Sequence, residues 1–264
     1  MLCIENLNLT FNPGTPIENH ALRGISLQLQ PGDYVTVIGG NGAGKSTLLS
    51  SISGSYPSDT GHILIDGTDV THLPEHRRAG YLGRVFQDPM RGTVPNMNLE
   101  ENLAMAYRRG KKRSIRWYIT SRERKLYRER LADLGLGLET RLSDKVGLLS
   151  GGQRQAITLL MATLKEPKIL LLDEHTAALD PKTAPKVLEI GDKIIANHKL
   201  TTMMVTHNMR DAIRHGNRLI MMSSGKIVLD IAGEEKQKVT VDELIAKFSQ
   251  AAGEEFASDA ALLG

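Results

Sequence analysis

The sequence predicts an α/β fold, in which a parallel-sheet core follows strands at the N-terminus and is interrupted by an inserted α-helical subdomain. Three observations predict it. Tyr34 to Ile38 is a short, β-branched run that ends in glycines and is followed by helix-forming Ser46 to Ile52. Ile169 to Leu172 and Thr201 to Val205 are continuous apolar or β-branched runs, the pattern of strands buried on both faces of a parallel sheet. From about Pro89 to Leu164, long polar and basic stretches at helical spacing replace such strands. The core is therefore expected at residues 1–88 and 165–240, with the helical subdomain at 89–164 between its halves.

Met1 to Asn8 and Ile25 to Gln30 alternate apolar and polar residues as half-buried strands do, and Pro31-Gly32-Asp33 turns the chain into the next strand. Ile63-Leu64-Ile65 followed by Asp66-Gly67 reads as a strand closed by a turn. Thr240-Val241-Asp242-Glu243 spells a capping box ahead of Leu244, Ile245 and Phe248, which predicts a short amphipathic helix within residues 241–264. The last dozen residues, rich in Ala and Gly, read as a tail. No internal repeat at a fixed period is visible.

With 264 residues the chain can bury a substantial core without staples. Cys3 is the only cysteine, which excludes an intramolecular disulfide and a thiolate zinc site and points to a reducing, cytoplasmic compartment. The longest apolar runs are only a few residues, against about 20 for a membrane span, and the N-terminus lacks the basic and apolar regions of a signal peptide. A formal charge of +3 does not by itself imply nucleic acid, and none is expected as a partner.

Gly39-Gly40-Asn41-Gly42-Ala43-Gly44-Lys45-Ser46 satisfies the P-loop spacing, with a strand before it and a helix after it. Glycines let backbone N–H groups converge on phosphate oxygens, the helix N-terminus that includes Thr47 adds partial positive charge, Lys45 reaches the terminal phosphates and Ser46 offers a hydroxyl to Mg²⁺. Asp173 and Glu174 follow the apolar run at Ile169, a Walker B arrangement that delivers two carboxylates at the C-terminal end of a buried strand, where open α/β sheets bind ligands. Asp173 is read as the Mg²⁺ ligand and Glu174 as the residue that polarises the attacking water. By itself an Asp-Glu pair after a core strand is common, and its weight comes from the P-loop.

Leu149-Ser150-Gly151-Gly152-Gln153-Arg154-Gln155, together with those two motifs, resembles the signature of ABC (ATP-binding cassette) ATPases, which implies a P-loop NTPase (RecA-like) core with an N-terminal antiparallel β portion. Two glycines and a serine ahead of a helix make a second phosphate-facing helix N-terminus. The resemblance covers nearly the whole chain. Gln87, in Val85-Phe86-Gln87-Asp88-Pro89, matches the family's Q-loop glutamine, which touches Mg²⁺ and water. Ala178-Leu179-Asp180 looks like its D-loop, and His207, in Val205-Thr206-His207-Asn208, like its switch histidine at the γ-phosphate. Phe11 falls where the family places an adenine-stacking aromatic, and it suits a core phenylalanine equally.

The resemblance implies ATP and Mg²⁺ as cofactors and hydrolysis by two copies of the chain sandwiching two nucleotides. It also implies separate integral membrane permease subunits, a substrate-binding protein in the same system, and a peripheral place at the cytoplasmic face of the cell membrane. One departure is His175, which stands where most members have proline. This version, with Met203-Met204-Val205-Thr206-His207-Asn208-Met209 and Asn217-Arg218-Leu219-Ile220-Met221-Met222, resembles a bacterial uptake group. In that group a periplasmic-type or lipoprotein binding protein works with a permease similar to those for branched-chain amino acids, and aromatic amino acids are among the proposed cargos. An importer is expected, because Ser143-Asp144-Lys145-Val146-Gly147-Leu148 precedes the signature in place of the Glu-Arg-Gly type element of many exporters. The alternatives are an exporter ATPase or a soluble ABC ATPase of the translation or iron–sulfur assembly type. Against the translation type, only one P-loop is present.

Arg108 to Arg130 holds eleven Lys or Arg against Glu123 and Glu129, with Trp117, Tyr118 and Tyr127 interleaved. Three readings are open for it: a solvated helical face, contact with anionic lipid headgroups, which is favoured, or an RNA surface with aromatic stacking.

Overall fold

A computed structural model describes residues 1–110 and 118–252. In chain order the strands are β1 (Leu2–Phe11), β2 (Asn19–Leu29), β3 (Tyr34–Ile38), β4 (Thr60–Ile65), β5 (Thr68–Asp69), β6 (Leu82–Val85), β7 (Ile169–Asp173), β8 (Thr202–Val205), β9 (Arg218–Ser223) and β10 (Lys226–Ala232). The helices are α1 (Lys45–Ser53), α2 (Glu75–Arg78), α3 (Leu99–Tyr107), α4 (Ser121–Ala132), α5 (Gly151–Thr163), α6 (Ala184–His198), α7 (Met209–Arg214), α8 (Gly233–Lys238) and α9 (Val241–Ala252). Two compact units are present: Met1–Arg78 with the chain from Lys199 onward, and Ala79–His198.

In the first unit β1 is the inner strand of an antiparallel sheet, between β2 and β4, with β5 beyond β4. Its alternation places Leu2, Ile4, Leu7 and Leu9 inside. The register slips between Ile4 and Leu7, where Asn6 takes a φ of 46°. A bulged strand of this kind bends without losing its buried face. The second sheet runs β10-β9-β3-β8, with β3 parallel to both β8 and β9 and β10 antiparallel to β9. Val35, Val37 and Ile38 of β3 are buried, as expected of an inner parallel strand. Thr36 is buried with them because its hydroxyl donates to Ala212 O at 2.9 Å. Helices α7 and α9 cover this sheet through Met209, Ala212, Leu244 and Phe248. The capping box ahead of α9 forms as the sequence predicts: Thr240 N donates to Glu243 Oε2 at 2.9 Å and Glu243 N to Thr240 Oγ1 at 3.2 Å.

In the second unit β6 and β7 pair in parallel, Leu82 opposite Ile169 through Val85 opposite Leu172. A Cβ on Gly83 would lie 2.5 Å from Ala162 O, so the end of α5 presses directly on β6. Leu99, Leu103, Leu131, Val146, Ile157 and Leu160 belong to its apolar core, and buried Tyr127 meets Tyr107 edge-on at 6.2 Å.

Three buried or half-buried cations close helix ends. Arg78, 2% exposed, donates to Ser51 O and Ile52 O at the end of α1. Lys236 donates to His215 O and, at 2.8 Å, to Gly216 O, just past α7. Arg109 donates to Ala162 O at 2.9 Å and Lys165 O at 3.1 Å, at the end of α5. Each places positive charge where a helix leaves carbonyls without intrahelical partners and carries partial negative charge. The half-buried Arg109 thereby turns its guanidinium to the end of a helix and away from a solvated or lipid-facing role. Arg108 is paired with Glu123 and Arg124 with Glu100, so the exposed cations of α4 are Arg122, Lys125 and Arg128 besides Arg124. Lys111, Lys112, Arg113, Arg116 and Trp117 lie outside the described residues, as does the expected tail at 253–264.

Candidate functional site

In the first unit the loop Gly39–Gly44 leaves β3 and α1 begins at Lys45. Gly39 (φ 150°) is packed against Met222 O with no room for a Cβ, and a Cβ on Gly44 (φ 96°) would lie 2.5 Å from Ala21 O. Only glycine meets both demands, a positive φ and close backbone approach. A Cβ on Gly42 would meet nothing within 4 Å. Gly225, in the turn between β9 and β10, donates its N–H to Ala43 O at 3.1 Å and accepts from Arg23 N at 2.9 Å, so two distant stretches brace the loop.

Gly40, Ala43 and Lys45 are buried, Asn41, Gly42 and Ser46 exposed, and Thr47 half-buried in the first turn of α1. Lys45 folds back over its loop and donates to Gly39 O at 2.7 Å and Gly40 O at 2.9 Å. That first turn carries no acidic residue to offset the helix dipole. Because Val37 pairs with Val205 and Thr206 N donates to Val37 O at 3.1 Å, exposed His207 emerges beside the end of β3. Asn208 then caps α7 by accepting from Arg210 N and Asp211 N. Phe11, at the end of β1, is half-buried and sits edge-on to exposed Tyr56 at 5.2 Å.

In the second unit Asp173 ends β7 and Glu174 follows it with a φ of 42°, a left-handed conformation that a non-glycine residue holds only under constraint. The carbonyl of Glu174 accepts from Ala177 N at 3.0 Å, fixing the turn. His175 is 2% exposed, so the departure from proline is an interior residue and not a loop-surface substitution. Gln87 is exposed two residues beyond β6. Fully buried Gln155 of α5 donates to Phe86 O at 3.2 Å and thereby ties the chain at Gln87 to that helix.

Ser150 is the N-cap of α5. Its Oγ accepts from Gln153 N at 3.3 Å while Ser150 N donates to Gln153 Oε1 at 3.2 Å. Gly151 is exposed, whereas Gly152 is packed against Thr183 with no space for a Cβ. Asp180, exposed, accepts from Lys182 N at 3.1 Å and Thr183 N at 3.0 Å, and the Thr183 hydroxyl holds its carboxyl below the usual range. The N-terminus of α5 and the loop of Asp180 are thus neighbours. The sequence reading missed Arg84 and, quoting Gln155 only as the end of the signature, gave it no role of its own; the signal in each case is a polar residue inside an otherwise apolar strand or helix face.

These residues fit a nucleotide carrying Mg²⁺. The P-loop offers backbone N–H groups, a helix N-terminus and an ammonium group, which is the chemistry of polyphosphate binding. Among the described residues no group of three or more His, Cys, Asp or Glu could hold a metal. Ser46 in the first unit and Asp173 in the second each offer a hard oxygen, the donor type that Mg²⁺ takes.

Residues 22–177 match the family described as ABC transporter. This chain is an ATP-binding subunit of the ABC transporter family. It is 45% identical over 253 residues to the tyrosine transport ATP-binding protein of Clostridioides difficile (strain R20291), covering 95% of this chain and 100% of that one. It is 34% identical over 216 residues to the thiamine import ATP-binding protein ThiQ of Yersinia pseudotuberculosis, 82% and 86% covered, and 31% over 235 residues to the energy-coupling factor transporter ATP-binding protein EcfA2 of Ligilactobacillus salivarius, 88% and 78% covered. Among solved structures, the dimeric post-hydrolysis cassette MJ0796 bound to ADP and Pi superposes with a TM-score of 0.75 at 27% identity, over 88% of this chain and 98% of that one. The ABC fold class, with its antiparallel β portion and P-loop core, is therefore shown, and so is ATP hydrolysis as the activity. ABC ATPases bind ATP, generally with Mg²⁺, dimerise and work with membrane permeases, typically from the cytoplasmic side. Among the described residues of this ABC ATPase no helix is long and apolar enough to cross a membrane.

Proposed function

We propose that this ABC ATPase powers uptake of a small organic solute, an aromatic amino acid such as tyrosine, through separate permease subunits served by a substrate-binding protein. The observation that carries the reading is the 45% identity over the full length of a relative whose name is tyrosine transport ATP-binding protein. The thiamine import relative, at 34%, supports the direction.

In this reading the P-loop N–H groups and Lys45 cradle the phosphates, and the half-buried Phe11 stacks on the adenine. Ser46, Asp173 and Gln87 would hold Mg²⁺, which when bound would supply positive charge to the phosphates. Glu174 takes a proton from the attacking water, and His207 donates to the terminal phosphate. Ser150, Gly151, Gly152 and Gln153 of one copy face the nucleotide held by Lys45 of the other, with Asp180 beside them. The left-handed Glu174 supports this assignment, since residues held in sparsely populated backbone regions cluster at active sites.

The test is reconstitution of the complete system in proteoliposomes. Tyrosine-loaded binding protein should raise ATP hydrolysis severalfold and drive tyrosine accumulation, and Lys45→Ala should abolish both. An active complex that responds to another class of solute and not to aromatic amino acids would refute the cargo.

A further inference from the structure

Strand β6 is short and mostly apolar, yet it carries Arg84 at its centre. The strand pairing sets Arg84 opposite Leu171, and the long side chain reaches along β7 so that its guanidinium lies 3.3 Å from Asp173 Oδ2. Both side chains are nearly withdrawn from water, at 12% and 13% exposure. The same guanidinium lies over the ring of Phe86 at 4.7 Å, and that ring also takes Arg91 at 4.9 Å. Withdrawing two charges from water is costly, and an apolar pair of similar volume would pack at least as well. A purely architectural role therefore leaves the pair unexplained.

The explanation lies in what Asp173 has to do, and it rests on Asp173 being the Mg²⁺ ligand of the proposed function. A carboxylate that takes up and gives back a divalent ion in every cycle needs a counter-charge for the part of the cycle in which the ion has gone. We propose that Arg84 is the positioning residue for Asp173: it compensates the carboxylate, competes with the metal for Oδ2, and so weakens metal binding enough for Mg²⁺ to leave with the product. Arginine suits this better than lysine, because its planar fork can stack on Phe86 while it points donors at the carboxylate. Competition outweighs any benefit of holding Asp173 still, because the carboxylate already sits at the end of a buried strand and a unit positive charge beside it repels a divalent cation directly.

The experiment uses the full chain, saturating AMP-PNP and Mn²⁺ in place of Mg²⁺, with free Mn²⁺ counted by electron paramagnetic resonance. Arg84→Gln should bind Mn²⁺ more tightly, by roughly tenfold or more, since a unit charge about 5 Å from a divalent ion has an effect of that order even at the dielectric of water and a larger one where both side chains are withdrawn from it. Arg84→Lys, which keeps the charge and loses the fork, should fall between the parent and Arg84→Gln. Asp173→Asn should bind Mn²⁺ more weakly. If Arg84→Gln binds no tighter than the parent while Asp173→Asn weakens, the proposal is overturned and Asp173 keeps its role. If Asp173→Asn binds as the parent does, the reading of Asp173 falls and the proposal with it. Should Arg84→Gln fail to fold, Arg84→Met, which also removes the charge at similar volume, decides: tighter binding than the parent supports the competition and equal binding overturns it.

Discussion

Replacing Arg109 by alanine should destabilise the protein although the residue belongs to one of the most basic stretches of the chain. Its guanidinium donates to Ala162 O at 2.9 Å and Lys165 O at 3.1 Å, and Lys165 Nζ donates to the carbonyl of Arg109 at 3.2 Å. Burial pulls the guanidinium below its ordinary pKa, yet arginine stays charged, so both bonds are charge-assisted. Hydrogen bonds to charged groups contribute about 1.5–3 kcal/mol each. Because neighbouring bonds are not additive, about 3 kcal/mol for the pair is a working figure. At roughly 2–4 °C per kcal/mol, the melting temperature should fall by roughly 6–12 °C in differential scanning calorimetry. Hydrogen exchange should accelerate first at the end of α5. As a control, the triple variant Arg122→Ala, Lys125→Ala, Arg128→Ala removes three exposed charges and should melt within about 1 °C of the parent. An Arg109→Ala protein as stable as that control would refute the capping argument.

The same triple variant should bind anionic vesicles less tightly than the parent, most visibly at low salt, since screening shortens the reach of these charges; equal flotation at every salt concentration would leave a solvated face as the role of α4. Glu174→Gln should retain ATP binding, lose turnover and accumulate as an ATP-bound dimer in size-exclusion chromatography, whereas hydrolysis at the parental rate would remove Glu174 as the base. Mixing Lys45→Ala chains with Ser150→Arg chains should restore nucleotide trapping and single-turnover hydrolysis in the heterodimer, because both defects then fall in one shared site; verified heterodimers no better than either mutant would show that sites do not combine the two chains.

Elements whose logic is local could be read from the residues alone. The alternation of β1, the β-branched run of β3, the glycines that must precede α1 and the Thr240–Glu243 box each depend on a handful of neighbours, and each occurs where the pattern puts it. Strand β2 begins earlier than its alternation suggests, at Asn19, because His20 to Gly24 are held by pairing with β1, a partner the local pattern does not name. The motif residues were legible as loops at strand ends and helix starts, for the same local reason. What escaped were the charged side chains that the fold turns inward. Arg78, Arg84, Arg109 and Lys236 look like surface residues by type, and three of them answer helix ends up to 56 positions away in sequence. Arg109 is the clearest instance, since its basic neighbours made a solvated or lipid-facing surface the natural reading.

The bracing of the P-loop by the turn at Gly225 has a consequence for how the protein is made. The loop at Gly39–Gly44 leaves the ribosome early, but the N–H of Gly225 that holds Ala43 O, and the Met222 carbonyl against which Gly39 packs, are synthesised far later. At translation speeds of about 5–20 residues per second, that gap is roughly 10–40 seconds. During that interval the nascent chain carries the complete phosphate-binding sequence without the bracing from Gly225 and Met222. A polypeptide truncated before β9 should therefore emerge with its nucleotide loop unbraced and hold nucleotide more weakly than the full chain.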